Sequence, residues 1–219
     1  MNLSFTEENY LKIIYSLSIS SSDNATSTNE ISEKYQTKPS SVSDMLKKLS
    51  EKNLIVYERY KPVSLTQQGT QLALQILRKH RLWEVFLFEN LHFTWDEVHE
   101  LAEQLEHIRS AKLIDRLDEF LGFPEFDPHG DPIPNAFGEL KNQKKTLLSN
   151  INPGIPCEVV AVKDSSSSFL QYLQKLNLGI GSSLKIIEVM SFDDSYTIEN
   201  EKGERISISR KFAENLFVK

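Results

Sequence analysis

The sequence predicts a mostly α-helical protein that ends in a small β domain. Near the start of the chain, Thr6 is a good helix N-cap, and apolar residues then recur at helical spacing at Tyr10, Leu11 and Ile14. From Ile155 onward the pattern changes to short runs in which apolar and polar residues alternate. A hydrophobic content of 39% with 26% charged residues is typical of a soluble globular protein.

Signals that would direct the chain to a membrane or out of the cell do not occur in the sequence. No apolar run approaches the roughly 18 residues needed to span a bilayer, and the first residues lack the basic and apolar regions of a signal peptide. Cys157 is the single cysteine, which excludes a disulfide framework and a thiolate-rich metal site. We therefore expect a cytoplasmic protein with no membrane partner.

The first 75 residues have the pattern of a winged helix-turn-helix domain (1–75). Residues 28–35 read as a short helix, the segment 36–39 ends it at a proline, and 40–53 read as a second helix. Residues 54–66 then read as two short strands around a basic tip, which is how a wing is built.

This part of the chain also carries the residues that we expect to bind double-stranded DNA. The window 36–61 holds six basic and three acidic residues in a protein whose net charge is −6, and phosphate contact requires local positive charge. Serines in the first turn of the second helix would meet base edges and phosphates. The alternative is that Ser40 or Ser41 caps the helix and the lysines are only solvated. The predicted DNA-binding residues are Thr37, Lys38, Ser40, Ser41, Ser43, Lys47, Lys48, Arg59 and Lys61.

Imidazoles and carboxylates recur at helical spacing between residues 76 and 108. His80 and Glu84 are four residues apart, so they share one face of a helix. A second helical run presents such residues at i, i+4, i+7 and i+8, within a sector of about 100° beside an apolar stripe. Such a face suits divalent first-row ions such as manganese or ferrous iron, although an acidic face can also be simply solvated. The candidate ligands are His80, Glu84, His99, Glu103, Glu106 and His107.

The acidic residues are concentrated in the same region. Residues 1–75 carry eight basic and eight acidic residues, residues 76–150 carry nine and fourteen, and residues 151–219 carry eight and nine. Bound cations would offset this local excess of negative charge.

A helical domain at 76–141 would hold these ligands and also form a homodimer. The helix that follows His80 is apolar on more than one face, and a domain of this size can hardly bury all of it. The alternative is a one-sided core against the winged helix. The residues of the predicted interface are Leu82, Trp83, Val85, Phe86, Leu87, Phe88 and Leu91.

The rest of the chain reads as an extended segment, a linker and a β domain. Prolines fix much of the backbone at 122–134, so we expect His129 to be structural or to support a ligand rather than bind metal itself. The polar stretch 142–154 reads as a linker. Alternation within 155–219 predicts a small β domain that contains one short helix.

Five stretches of the sequence resemble the diphtheria toxin repressor family of metal-dependent transcriptional repressors, in particular its three-domain manganese-responsive members. The resemblance implies a C-terminal SH3-like β-barrel, a homodimer, a divalent metal cofactor and an operator on double-stranded DNA. It covers essentially the whole chain. The stretches are GluAsnTyrLeuLysIleIleTyr (8–15), ProSerSerValSerAspMetLeuLysLysLeu (39–49), ArgLysHisArgLeuTrpGluValPheLeu (78–87), GluValHisGluLeuAlaGluGlnLeuGluHisIle (97–108) and PheAspProHisGlyAspProIlePro (126–134).

The resemblance implies two metal sites, which would bind Mn(II) or alternatively Fe(II). Asn9 stands where manganese-type members have Asp, and Asp127 falls where some relatives place a ligand near the first site. The first site would use Glu103, Glu106 and His107 with Asn9, and the second would use His80, Glu84 and His99 with Asp164 from the C-terminal domain.

The resemblance further implies a repressor, not an enzyme, that silences metal-uptake genes when metal is plentiful. Metal at the first site would tie the N-terminal helix to the dimer domain and set the two recognition helices about one turn of DNA apart. Two alternatives remain from the residues alone: a winged-helix regulator that responds to an organic ligand, and a metalloenzyme built on carboxylate and histidine ligands.

Overall fold

The computed structural model describes residues 2–19, 21 and 23–219, and the described residues form two compact units. The first unit takes its described residues from Met1–His80, Glu103–Asp115 and Pro134–Glu139, and the second from Arg81–Ala102, Arg116–Ile133 and Leu140–Lys219. The elements are α1 (Phe5–Ser18), α2 (Thr28–Lys34), α3 (Pro39–Glu51), β1 (Ile55–Val56), β2 (Ser64–Leu65), α4 (Gln67–Glu89), α5 (Val98–Leu105), α6 (Ala111–Phe120), β3 (Thr146–Leu147), β4 (Pro156–Val162), α7 (Ser167–Lys175), β5 (Ser183–Val189), β6 (Tyr196–Asn200), β7 (Arg205–Ile208), α8 (Arg210–Ala213) and β8 (Leu216–Val218).

Helix α1 begins earlier than the sequence predicted. Ser4 rather than Thr6 is its N-cap: the Ser4 hydroxyl accepts the Glu7 N–H, and the Glu7 carboxylate accepts the Ser4 N–H. This reciprocal capping box satisfies two amide groups that the first turn leaves open. The helix then buries its apolar face in the core of the first unit through Tyr10, Leu11 and Ile14.

Helices α2 and α3 form the predicted helix-turn-helix. The turn passes through Gln36, whose φ of 52° is left-handed, and it is held by the Ser32 hydroxyl, which donates to the Thr37 carbonyl at 2.5 Å. Pro39 occupies the first turn of α3, where a missing N–H costs nothing. The N-cap is Lys38, without a side-chain cap, so the alternative in which Ser40 or Ser41 caps this helix is wrong.

The wing is the predicted pair of short strands. Strand β1 pairs antiparallel with β2, with Ile55 opposite Leu65 and Val56 opposite Ser64. The hydroxyl of Thr66 accepts the N–H of Gly69 at 3.0 Å and so caps the start of α4.

Helix α5 is shorter than predicted. It ends at Leu105, and Glu106 and His107 lie in the turn that follows it. The predicted helical face of four ligands is therefore wrong for its last two members. The physical reason is that the side chains of Glu106 and His107 are held by residues distant in sequence, as described below, instead of by the helix.

The second unit contains a six-stranded antiparallel sheet in the order β3-β8-β4-β5-β6-β7. Among the described residues, β3 and β7 are not paired with each other, so the sheet is open and the predicted closed barrel is not seen. The predicted linker at 142–154 contains strand β3 and the fully buried Leu148, which belongs to the core of this unit. Leu148 packs there because it is apolar within an otherwise polar stretch.

The apolar residues that follow His80 divide into two sets. Leu82, Val85 and Leu87 are buried within the single chain, so they are not available to a partner, and that part of the predicted dimer interface is wrong. Phe88 and Leu91 remain exposed, and the Phe86 ring contacts the exposed Phe120 ring edge-on at 6.1 Å.

Within the part of the chain that the structure describes, no helix is both long and apolar enough to cross a lipid bilayer.

Gly69 provides a test of how the wing packs on α4. A Cβ atom at this position would lie 1.9 Å from the Leu54 carbonyl oxygen, which is backbone and cannot turn away. We expect Gly69→Ala to lower the free energy of unfolding by about 1–3 kcal/mol. Gly179→Ala is the control, because nothing lies within 4 Å of the added methyl group there. Thermal unfolding of both variants measures the difference, and equal melting temperatures would contradict this packing.

Candidate metal centre

A buried carboxylate, Glu106, is the centre of the first cluster of candidate ligands. Its side chain is fully buried in the first unit. One of its oxygens, Oε2, accepts a hydrogen bond from His80 Nδ1 at 2.6 Å and another from Lys12 Nζ at 2.8 Å. Lys12 also lies 3.4 Å from Glu103 Oε1. Helix α1 therefore contacts the 103–107 segment through charge.

These contacts decide the charge state of Glu106. Burial alone would raise its pKa, but the hydrogen bond from His80 and the charge of Lys12 hold the pKa below its ordinary value. Glu106 is therefore an anion at neutral pH, which is the form that binds a metal ion.

His107 is held from two sides by α1. Its Nδ1 donates to Glu8 Oε2 at 2.6 Å, and its ring stacks on Phe5 with centroids 4.3 Å apart. A carboxylate that accepts a hydrogen bond from one ring nitrogen keeps the proton on that nitrogen, so the lone pair of the other nitrogen can bind a metal ion. This is the usual arrangement of a metal-binding histidine.

Among the described residues, Glu103, Glu106 and His107 do not have ligand atoms that all lie within 4.8 Å of one another. Two buried side-chain oxygens of the predicted first ligand set nevertheless have no hydrogen-bond partner in the part of the chain that the structure describes. They are Asn9 Oδ1 and Glu106 Oε1. Leaving a buried acceptor unpaired costs about 1–3 kcal/mol, so the protein gains if a cation binds there. Oxygen and imidazole donors fit a hard or borderline divalent ion such as Mn(II) or Fe(II). The residues present therefore fit the metal that the sequence predicted.

A second cluster lies within the second unit, around Glu84. Candidate ligand atoms of Glu84, Asp127 and His129 lie within 4.8 Å of one another, and all three residues are buried. His99 Nδ1 also lies 3.1 Å from Glu84 Oε1. The resemblance placed Asp127 near the first metal site, but in the structure it lies beside Glu84. His80 lies one helical turn before Glu84 on α4.

His129 is both a structural residue and a candidate ligand. Its Nε2 donates to the Trp95 carbonyl oxygen at 2.9 Å, and its ring stacks on the Trp95 ring. Its Nδ1 then faces Glu84 Oε2 at 3.9 Å and Asp127 Oδ1 at 4.0 Å. The sequence analysis expected a structural or supporting role, because prolines fix much of the backbone in this extended segment.

Asp127 has an environment opposite to that of Glu106. Burial raises its pKa to about 7, and the charges of Glu84 and Asp131 add to the increase, while Arg81 and His129 oppose it. Its Oδ1 accepts the N–H groups of His129 and Asp131 at 2.8 and 3.0 Å, so its position is fixed.

Asp164 is placed differently from the other candidates. Its Oδ1 accepts the Ser166 N–H at 2.9 Å just before α7. Among the described residues, it does not belong to a cluster of three or more candidate ligands.

The predicted DNA-binding residues lie on α3, in the turn before it and at the wing. Lys38, Ser40, Ser41, Lys47, Lys48, Arg59 and Lys61 are exposed, while Thr37 and Ser43 are half-buried. Ser43 donates to the Pro39 carbonyl, and Lys47 pairs with Asp44.

Four residues at these sites were not found from the sequence: Phe5, Glu8, Lys12 and Tyr60. The first three act through contacts with 103–107, nearly a hundred residues away, so no local pattern indicates them. Tyr60 is 95% exposed at the wing tip with the Arg59 guanidinium 5.7 Å from its ring centroid. An exposed aromatic residue between two basic residues was a signal that could have been used.

Three sequence families match consecutive parts of the chain. Residues 2–63 match "Iron dependent repressor, N-terminal DNA binding domain", residues 66–135 match "Iron dependent repressor, metal binding and dimerisation domain", and residues 146–219 match "FeoA domain".

Individual relatives agree with these matches. The iron-dependent repressor IdeR of Mycobacterium leprae is 29% identical over 71% of this chain and 70% of its own. A probable metal transport system membrane protein of Chlamydia trachomatis is 42% identical over 71 residues, but the chain spans only 16% of it.

Among solved structures, a manganese-dependent transcriptional repressor in complex with manganese has a TM-score of 0.87 and 32% identity, covering 97% of this chain and 98% of the other. The family consists of DNA-binding repressors and not of enzymes, which removes the metalloenzyme alternative. The chain belongs to the diphtheria toxin repressor family of metal-dependent transcriptional repressors.

Proposed function

We propose that this protein is a Mn(II)-responsive repressor, with Fe(II) as the alternative signal, that binds operator DNA as a homodimer in the cytoplasm and silences metal-uptake genes. The observation that carries the proposal is that two residues of the predicted first ligand set, Asn9 and Glu106, each have a buried oxygen (Oδ1 and Oε1) without a hydrogen-bond partner among the described residues. One of them lies on the first helix of the DNA-binding part of the chain, so a cation bound there acts on DNA binding directly.

The first metal set consists of Asn9, Glu103, Glu106 and His107. The metal supplies a concentrated positive charge to these donors. Glu8 orients the His107 ring, and His80 holds one oxygen of Glu106 in place. The neutral amide of Asn9 and the absence of thiolates favour Mn(II) over softer ions.

Helix α1 connects this set to the recognition helix. Glu7 Oε1, on the first turn of α1, accepts a hydrogen bond from Lys52 Nζ at 2.5 Å, and Lys52 is the C-cap of α3. Fixing α1 through Asn9 therefore also limits the motion of α3. A ligand that binds this fixed state better shifts the population toward it, and by linkage operator DNA tightens metal binding by the same factor.

DNA would be read by the exposed side of α3 and by the wing. Ser40 and Ser41 are exposed in the first turn of α3, where base edges are reached, and Lys47 and Lys48 lie further along the helix for phosphate contact. At the wing tip, Arg59 and Lys61 flank the exposed Tyr60 ring.

The homodimer would form through the aromatic surface of the second unit. Phe88, Leu91 and Phe120 are exposed there, and Trp83 and Phe86 are only half-buried. Exposed apolar groups in such a cluster indicate a protein interface.

The second metal set would be formed by His80, Glu84 and His99, with Asp164 as the ligand from the C-terminal domain. The contact between Glu84 and His99 supports it, and Asp127 and His129 offer further donors to the same carboxylate. A divalent ion there would neutralise two buried acids.

We also propose the domain limits given by the sequence: a DNA-binding domain at 1–75, a metal-binding and dimerisation domain at 76–141, a linker at 142–154 and a last domain at 155–219. The SH3-like character of the last domain is part of the same proposal. The register shifts in β4 and β5 support it, because a bulge bends a strand and lets this open sheet curve without closing.

The first set can be tested with Glu103→Ala. We expect it to raise the Mn(II) concentration needed for operator binding by more than the roughly 10–100-fold typical of losing a residue that only orients a ligand. Glu100→Ala removes the same charge from α5 and should change little. Fluorescence anisotropy with Mn(II) and Fe(II) titrated separately measures this, and light scattering checks that both variants remain dimers. Metal-dependent binding by Glu103→Ala at wild-type concentrations would remove Glu103 from the set.

Phosphate contact can be tested with Lys48→Ala. The slope of log affinity against log salt concentration should become shallower by about 0.9 for each phosphate contact that is lost. Lys175→Ala, on α7 in the second unit, is the charge-matched control and should keep the wild-type slope. Both slopes are measured with saturating Mn(II). If the two variants have the same slope, Lys48 does not contact phosphate.

The second set predicts a pH dependence in the metal-free protein. The folded-state pKa of Asp127 is raised to about 7 from 3.8, so the folded chain binds a proton that the unfolded chain releases. The protonated carboxyl of Asp127 therefore favours the folded state at low pH. This stabilisation is lost as the pH rises from about 4 to about 7, and the stability no longer changes above that.

We therefore measure the melting temperature of Asp127→Asn minus that of wild type, both treated with a chelator. This difference should be larger at pH 8 than at pH 5. Saturating Mn(II) should reduce the gap at pH 8, because the ion neutralises the charged form. Asp44→Asn, which neutralises an exposed carboxylate in the first unit, is the control for the loss of one negative charge elsewhere. A constant gap between wild type and Asp127→Asn would refute the assignment.

A further inference from the structure

Lys12 places a positive charge inside the first metal set. It lies three residues after Asn9 on α1, so the two side chains share one face of the helix. Its side chain is only 12% exposed, and its ammonium lies 2.8 Å from Glu106 Oε2 and 3.4 Å from Glu103 Oε1. The two carboxylates that it contacts are both proposed metal ligands.

At Glu106 the ammonium occupies a different oxygen from the one that we propose for the metal. Lys12 and His80 both donate to Oε2 of Glu106, whereas Oε1 is one of the two unpartnered buried oxygens. In the metal-free protein the cluster is already partly neutralised, because Lys12 contributes one positive charge to it. A divalent ion must therefore enter a site whose negative charge has been reduced.

The electrostatic consequence is large enough to measure. A divalent ion bound to Glu106 would lie only a few ångströms from the ammonium, in a region with little water. At the effective dielectric constant of about 20 that describes protein sites, the bare repulsion at such a distance corresponds to more than about a thousandfold in affinity. Because Glu103 and Glu106 offset much of it, we expect a net effect of at least about tenfold.

We propose that Lys12 is an internal cation that competes electrostatically with the metal and so determines the metal concentration at which the repressor responds. It also holds α1 against the 103–107 segment when metal is absent. This inference rests on the proposed function of the first set, and it adds a residue that tunes the response instead of binding the ion.

The test is the affinity for Mn(II) measured by titration calorimetry on full-length dimer treated with a chelator. All variants are made in Glu84→Gln, called the parent, which lacks a carboxylate of the second set, so that the titration measures Mn(II) binding at the first set. In this parent, Lys12→Met should bind Mn(II) at least about tenfold more tightly. Lys12→Arg retains the charge and should stay within about threefold of the parent. Lys34→Met, on α2, is the control for loss of one positive charge elsewhere in the first unit.

A second measurement separates tuning from a purely structural role. Without metal, Lys12→Met should melt at a lower temperature than the parent, because Glu103 and the buried Glu106 lose a cation. Its increase in melting temperature on adding Mn(II) should be larger than the parent's. A residue that merely supports the fold would lower stability with and without metal and would not tighten binding.

Lys12→Gln, which keeps a hydrogen-bond donor but no charge, provides the same test if Lys12→Met does not fold. Equal or weaker Mn(II) binding by the neutral variants, with the parent still binding, would overturn the role of Lys12 alone. Absence of Mn(II) binding in the parent as well as the wild type would instead overturn the proposed function of the first set.

Discussion

The first unit depends on one constraint, which is that the carboxylate of Glu106 is buried and ionised. A buried charge is tolerated only with partners, since removing it from water costs several kcal/mol. His80 and Lys12 provide those partners. They come from α4 and α1, so satisfying one carboxylate requires both helices to meet the turn after α5. The remaining oxygen of Glu106 has no partner among the described residues, which is why we propose this residue as a metal ligand.

The two clusters solve the problem of buried acids in opposite ways. Glu106 has a lowered pKa because permanent positive charge is built in beside it. Asp127 has a raised pKa because burial and two neighbouring acids outweigh Arg81 and His129. At neutral pH Glu106 is therefore ionised, whereas the folded protein keeps a proton on Asp127 up to about pH 7. The neighbours of each acid, and not burial alone, decide this difference.

Sequence periodicity predicted the helices, the wing and the strands of the β domain because each of these depends on local pattern. It failed where a side chain is positioned by a distant segment. Glu106 and His107 are held by α1, about a hundred residues earlier, and not by continuation of α5. Lys12 gave no signal at all, since one lysine on an amphipathic helix normally faces solvent. The open sheet and the burial of Leu148 likewise depend on which strands pair, and alternation within a strand does not specify its neighbour.

Charged residues of α1 connect this helix both to the C-terminal end of α3 and to the 103–107 segment. Within its first two turns, Glu7 binds Lys52 of the recognition helix, Glu8 binds His107, Asn9 offers an unpartnered oxygen, and Lys12 binds Glu103 and Glu106. Lys79 is a second ammonium near this set, since it interacts electrostatically with Glu8 and Glu106 and burial lowers its pKa. The acids around the first set are therefore partly neutralised before any metal binds. The neutral amide of Asn9 offers an oxygen without adding to their negative charge. Because Asn9 and Lys12 share one face of α1, the helix that offers this oxygen also places a cation beside the two acids of the 103–107 segment.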